Sequence, residues 1–86
     1  MKSSLSIIAP CYNEEKNIEV FYKKILSFTK EIDINYKLIF IDDGSTDFTW
    51  KIIKNLKKNN DNISLIKFSR NFGQMSAIQA GIQKSE

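Results

Sequence analysis

The chain has 86 residues, 42 % of them apolar and 27 % charged, with a net charge of +3. That length supports one small domain burying roughly 60–65 % of its unfolded surface, and the composition excludes disordered and fibrous classes. The lysines (Lys23, Lys24, Lys30, Lys51, Lys54, Lys57, Lys58) are spread over helical faces, so they read first as a solvated surface and second as a weak attraction to anionic lipid or phosphate, and no nucleic-acid partner is expected.

Cys11 is the only cysteine and histidine is absent, which removes a disulfide framework and a thiolate or imidazole zinc site. A reducing, cytoplasmic setting fits. Residues 5–9 form an apolar stretch too short for a signal-peptide core or a membrane span.

The same stretch, residues 5–9, reads as a first strand closed by Pro10, which cannot donate to a central ladder. Asn13 is a suitable N-cap, and Glu14 and Glu15 suit the positive first turn of a helix. Ile18, Phe21, Tyr22, Ile25 and Leu26 then give one apolar helical stripe, which decays near Asp33. Residues 36–41 follow as a second strand. Four consecutive apolar residues, Leu38, Ile39, Phe40 and Ile41, mark it as buried on both faces, and it ends at Asp42 and Asp43.

Ser45 or Thr46 can cap a second helix whose buried stripe is Thr49, Ile52, Ile53 and Leu56. Residues 57–62 are a surface loop, residues 63–68 a third strand, and residues 76–84 a third helix with Ala77, Ile78, Gly81 and Ile82 inward. Gly81 costs about 1 kcal/mol in a helix interior, so it marks a place where helix and sheet approach closely.

The order β-α-β-α-β-α predicts a three-layer α/β fold, a parallel sheet with right-handed crossovers and helices on both faces. Every strand-to-helix loop then opens on one edge, where sheets of this kind bind ligands. Three loops meet there. The first offers Pro10, Tyr12, Asn13 and Glu14: an aromatic ring to stack on a base, with polar groups for base edges or ribose hydroxyls. Alternatively, Asn13 only caps the helix. The second offers Asp42 and Asp43, adjacent carboxylates that cost desolvation and repulsion unless something answers them. Asp43 can accept an N–H from a base and Asp42 can orient the turn, or the pair serves only as a helix cap. The third offers Arg70, whose forked guanidinium suits phosphate or a salt bridge back to Asp42 or Asp43.

No Gly-x-Gly-x-x-Gly follows the first strand and no Gly-Lys-Ser/Thr follows any strand, so dinucleotide-binding and P-loop domains are excluded. A phospho-accepting receiver domain is disfavoured, because the third strand runs into Phe68, Ser69 and Arg70 without an acceptor aspartate.

Three ordered motifs, IIAPCYNEE at residues 7–15, IDDGSTD at 41–47 and FSRNFG at 68–73, resemble the start of a family-2 glycosyltransferase with the GT-A fold. Within that family the resemblance is to the dolichyl-phosphate mannose synthase and bactoprenol glucosyltransferase branch, and it covers nearly the whole chain. It implies a nucleotide-binding half-domain over residues 1–86, with a UDP- or GDP-sugar lying across the loops. Pro10, Tyr12 and Glu14 would line base and ribose, Ile41 and Asp43 would contact the base, with Asp43 accepting its imino N–H, and Arg70 and Gly73 would stand on the far side; Asn13 and Asp42 are counted with this nucleotide-binding set.

Phe48 and Gln74 stand where related sequences often carry Gly and Lys. Family members continue into a fourth strand ending in Asp-x-Asp, which binds a divalent cation (Mg or Mn), and then supply the acceptor-side carboxylate. No Asp-x-Asp occurs here. Metal clamps supply much of the stabilisation in such transfers, so neither catalytic nor metal-binding residues are assigned. The chain is expected to be inactive alone, the front half of a hexosyltransferase acting on a polyprenyl-phosphate or glycan acceptor. The parent protein is expected at the cytoplasmic face of the membrane. A non-catalytic nucleotide-binding or assembly module, or a plain structural domain, would carry the same residues. In the family's sheet order, 3-2-1-4, a chain ending here leaves the first strand as an apolar edge open to self-association.

Overall fold

The computed structural model describes residues 4–86, so Lys2, the charge at the head of the chain, lies outside the described residues. Six elements follow in order: β1 (Ser4–Cys11), α1 (Ile18–Ile32), β2 (Asn35–Asp42), α2 (Thr49–Lys58), β3 (Ile63–Lys67) and α3 (Gln74–Ser85). The strands form one parallel sheet in the order β1-β2-β3, with Ile8 beside Ile39 and Phe40 beside Leu65. This is the α/β architecture that the element order predicts.

β2 is central, which explains its unbroken apolar run. Leu38 and Phe40 face α1 and α2, packing with Ala9, Ile18, Ile53 and Ile63, and the Phe21 ring meets Phe40 edge-on at 6.2 Å. Ile39 and Ile41 point the other way, against Ala77 of α3 and Ile8 and Ile66. Two helices therefore cover one face and a single helix covers the other. α3 lies close to the sheet at Gly81, where a Cβ would stand 2.5 Å from Ile8 Cγ2 and 2.9 Å from Ile41 Cδ1. Of the residues expected inward on α3, Ala77 and Gly81 are buried, whereas Ile82 is 46 % exposed.

Several boundaries differ from the sequence reading by a residue or two, and three differences have a plain physical reason. β1 runs through Pro10 to Cys11. The Cys11 carbonyl accepts the Asp43 N–H of the neighbouring strand end at 2.8 Å, so alternation turns the Pro10 nitrogen to the open edge, where no donor is required. α1 begins at Ile18 with Asn17 in the cap position, because Asn13 is spent elsewhere, as described below. It ends where Asp33 turns left-handed at φ 50°. α2 begins at Thr49, and neither Ser45 nor Thr46 caps it; instead the Asp47 carboxylate accepts the Thr49 N–H at 2.9 Å.

At the pole remote from the strand C-termini, the Asn60 amide donates to both Tyr22 Oη (2.8 Å) and Tyr36 Oη (2.9 Å). Lys57 Nζ donates to the Ile63 carbonyl at 2.9 Å. These contacts pin the α2–β3 connection, leaving the opposite edge to the three loops. No helix among the described residues is long and apolar enough to cross a membrane.

Candidate functional site

The second loop is the support on which the other two rest. Asp42 ends β2 fully buried, and its Oδ1 accepts the Ser45 N–H at 3.0 Å, closing the turn as the sequence suggested. Its Oδ2 is buried without a partner. Asp43, 4 % exposed, reaches across to the third loop: Oδ1 accepts the Phe72 N–H at 2.8 Å and Oδ2 the Gly73 N–H at 3.1 Å. Between loop and loop there is room only for a glycine. At Gly44, with φ +76°, a Cβ would fall 2.3 Å from the Arg70 carbonyl carbon and 2.5 Å from the Asn71 nitrogen.

The first loop is tied to the second by a different set of bonds. Asn13 adopts φ 52° and donates its N–H to Ser45 Oγ at 2.9 Å, while its Oδ1 accepts the Thr46 N–H at 2.8 Å. The Glu14 N–H donates to Thr49 Oγ1 (2.9 Å) and the Glu15 N–H to Asp47 Oδ2 (3.2 Å). Asn13 is thus a clasp between loops, which corrects its reading as the cap of α1. A short polar side chain that tolerates the left-handed region suits the position.

A cavity of 460 Å³ opens between the first and third loops. Pro10, Cys11, Tyr12 and Glu14 form one wall, Asn71, Gly73 and Gln74 the other, and Asp43 the floor between them. Tyr12 is 44 % exposed, its ring available to a flat partner. Glu14 Oε2 accepts from the Asn17 side-chain amide at 2.9 Å, which steadies the carboxylate at the cavity rim.

Of the nine residues singled out from sequence, Pro10, Tyr12, Glu14, Asp43 and Gly73 line this cavity; Asn13, Ile41, Asp42 and Arg70 do not. The Ile41 side chain is fully buried beneath α3. Arg70 places its guanidinium carbon 4.8 Å above the Phe72 ring, a cation–π contact, and makes no ion pair with Asp42 or Asp43, whose paired oxygens bind backbone amides. Cys11, Asn71 and Gln74 line the cavity without having been singled out. Asn71 and Gln74 flank the Phe72–Gly73 pair, and that closeness to Gly73 was the signal available in the sequence.

Burial, reinforced by the nearby carboxylates of Asp42, Glu14, Asp47 and Asp43, pushes the Cys11 thiol up to about 12. The thiol donates to the Ile41 carbonyl at 3.4 Å and is only 6 % exposed, so it is a packing group and not a nucleophile. At Asp47, desolvation acts upward, but the hydrogen bonds from Thr49 Oγ1, Thr49 N–H and Glu15 N–H outweigh it and hold the carboxyl below its ordinary value. A carboxyl depressed by folding stabilises the native state above its unfolded pKa, and that contribution is lost as pH falls through the folded value. Asp47→Asn is therefore expected to flatten the acid limb of the stability curve below about pH 4. Urea midpoints measured from pH 7 to pH 2 check this, and a parent and variant with parallel acid limbs would contradict it.

The described residues do not fit a divalent cation. No group of three or more His, Cys, Asp or Glu side chains among them is arranged to hold a metal ion. Three of the four oxygens of the acidic pair accept backbone N–H groups, and the fourth is buried in the fold.

A parallel sheet with a cavity at its strand C-termini, walled by an aromatic ring and amides, defines a Rossmann-like α/β fold of the class that binds ligands at that edge. The profile of glycosyl transferase family 2 matches residues 6–86, and the chain belongs to that family. It is 37 % identical over its whole length to an uncharacterized glycosyltransferase of Synechocystis, covering 27 % of that protein. It is 33 % identical, over 98 % of its length, to the undecaprenyl-phosphate 4-deoxy-4-formamido-L-arabinose transferase of Proteus mirabilis, covering 26 % of it. With the prophage bactoprenol glucosyl transferase homolog of Escherichia coli it shares 36 % identity over 91 % of its length and 26 % of that protein's. The chain therefore spans about a quarter of the length of these relatives.

Proposed function

We propose that residues 1–86 are the nucleotide-recognising half-domain of a glycosyltransferase, and that the 460 Å³ cavity receives the nucleotide of a UDP- or GDP-sugar. The observation that carries this is the pairing of an exposed Tyr12 ring with polar groups on the facing wall. The ring stacks on the base, and Glu14, Asn71 and Gln74 offer hydrogen bonds to ribose and base edges. In this reading the acceptor is a lipid phosphate of the polyprenyl type, in line with one relative named for undecaprenyl phosphate and another for bactoprenol, and the reaction takes place at the cytoplasmic face of a membrane.

A divalent cation of the Mg or Mn type belongs to this reading only through ligands outside these 86 residues. The chain alone therefore binds without turning over sugar. Equilibrium titration with UDP and GDP tests the reading. Base stacking is worth about 1–3 kcal/mol, so Tyr12→Ala should weaken binding about tenfold or more. Lys54→Ala, on the exposed side of α2, should leave it unchanged. Equal affinities of Tyr12→Ala and the parent would sink the stacking role, and no binding at millimolar nucleotide would sink the proposal.

Self-association through β1 is part of the same proposal. Among the described residues nothing pairs with the outer edge of β1, which carries no charged side chain to deter a second strand. A second cavity, of 340 Å³, borders that edge between Ile8, Pro10 and Phe21. Sedimentation velocity across a concentration series should show a rising weight-average mass. A monomer at every concentration would contradict it.

A further inference from the structure

Charge is not spread evenly over the molecule. The layer of α1 and α2, which covers one face of the sheet, holds three lysines on α1 and four on α2 against only Glu19 and Glu31, so seven positive charges less two leave it at +5. The whole chain carries +3, which leaves −2 for everything else. α3, alone on the opposite face, has a single lysine, Lys84. We propose that the outer face of the α1–α2 layer is a docking surface for an anionic lipid bilayer. This goes beyond the nucleotide reading and does not depend on the cavity.

Three observations carry it. On α2, the exposed Lys51, Lys54 and Lys58 recur at i, i+3 and i+7, so their heads leave the helix on one side, away from the buried Thr49 and Ile53. No acidic residue of α2 offsets them, and Lys57 stands apart, donating to the Ile63 carbonyl. On α1, a groove of 450 Å³ is lined by Val20, Lys23, Lys24, Ser27, Phe28 and Glu31. Val20 and Phe28 are about half exposed, at 56 % and 49 %, and the small Ser27 opens the gap between them. Two ammonium groups beside two apolar side chains match the phosphate and the glycerol–acyl boundary of a phospholipid. An anionic surface attracts each lysine within about a Debye length of it. A nucleic acid would offer phosphates but no apolar layer for Val20 and Phe28, so the bilayer fits better. The third observation is orientation. Crossover helices of a parallel sheet run back against its strands, so laying α1 and α2 flat on a bilayer holds the loop edge and its cavity alongside the lipid surface.

Co-flotation with vesicles tests this on the full chain. Phosphatidylcholine vesicles containing about one-third phosphatidylglycerol should carry about tenfold more protein than phosphatidylcholine alone. Raising salt from about 0.05 M to about 0.5 M should remove most of that difference. Two double variants of equal net charge locate the surface. Lys51→Ala with Lys54→Ala strips the proposed face, whereas Lys37→Ala with Lys84→Ala strips charge elsewhere, and all four side chains are exposed. The first pair should lower partitioning about tenfold, and the second should stay within about twofold of the parent. Equal losses for the two pairs, or equal flotation with neutral and anionic vesicles, would overturn the proposal, as would binding to duplex DNA without flotation. A chain that floats with anionic vesicles and binds no nucleotide would sink the nucleotide reading and leave the docking surface standing. One that binds nucleotide and never floats would do the reverse.

Discussion

Gly44→Ala should be among the most damaging single substitutions outside the core, costing about 3 kcal/mol or more. The backbone contribution is the smaller part. Forcing a Cβ into the left-handed region costs about 1–2 kcal/mol, and the rest comes from collision with the carbonyl carbon of Arg70, 2.3 Å away. Backbone on both sides leaves no flexible side chain to swing aside, so the second and third loops must part. Gly73→Ala provides the control. Gly73 also has a positive φ, +100°, but a Cβ there meets nothing within 4 Å, so only the conformational cost applies. Urea unfolding should place Gly44→Ala well below Gly73→Ala in midpoint, with both below the parent. Equal losses would mean that the loops are not in the contact described.

Phe40→Ala is expected to cost about 3–5 kcal/mol, the usual loss for a fully buried aromatic. Phe40 is 0 % exposed and sits at the centre of the sheet, between the β1 and β3 partners Ala9 and Leu65 and under the Phe21 ring of α1. A domain of this size has a total stability of only about 4–13 kcal/mol, so the variant should be largely unfolded by modest urea or moderate heat. Thermal denaturation followed by far-ultraviolet circular dichroism checks this. A midpoint within a few degrees of the parent would contradict the placement of β2 at the centre of the core.

The framework was legible in the sequence because its signals are local. The run from Leu38 to Ile41 announced a strand buried on both faces, and the stripe of Ile18, Phe21, Tyr22 and Ile25 announced the helix packed on it. Gly81 announced close packing of α3 before any neighbour was known. Pairings across distant loops were not legible. Asn13 looked like a helix cap because its partners, Ser45 and Thr46, lie more than thirty residues away. Pro10 looked like a strand terminator because nothing local says that β1 is an edge. The latch made by Asp43 gave no local sign because the amides it accepts from belong to the third loop. In each case the type of chemistry was recognised and its partner was not.

The acidic pair shows the consequence most plainly. Two adjacent carboxylates at the end of a central strand read as a site, and Asp43 of the pair lines the cavity there. Their visible work, however, is structural: Asp42 closes its own turn and Asp43 latches the neighbouring loop. Under the proposed reading, the groups offered to a ligand include Tyr12, Glu14, Asn71 and Gln74 on the cavity walls.

The most direct test of the central claim, that this cavity is the nucleotide site of a family-2 glycosyltransferase, is amide chemical-shift mapping during titration with a UDP-sugar and a GDP-sugar. Saturable shifts are predicted for one of the two at Cys11, Tyr12, Glu14, Asn71, Gly73 and Gln74, with the Tyr22–Asn60–Tyr36 pole unmoved. Shifts centred on that remote pole, or no shifts at millimolar ligand with either nucleotide sugar, would contradict the account.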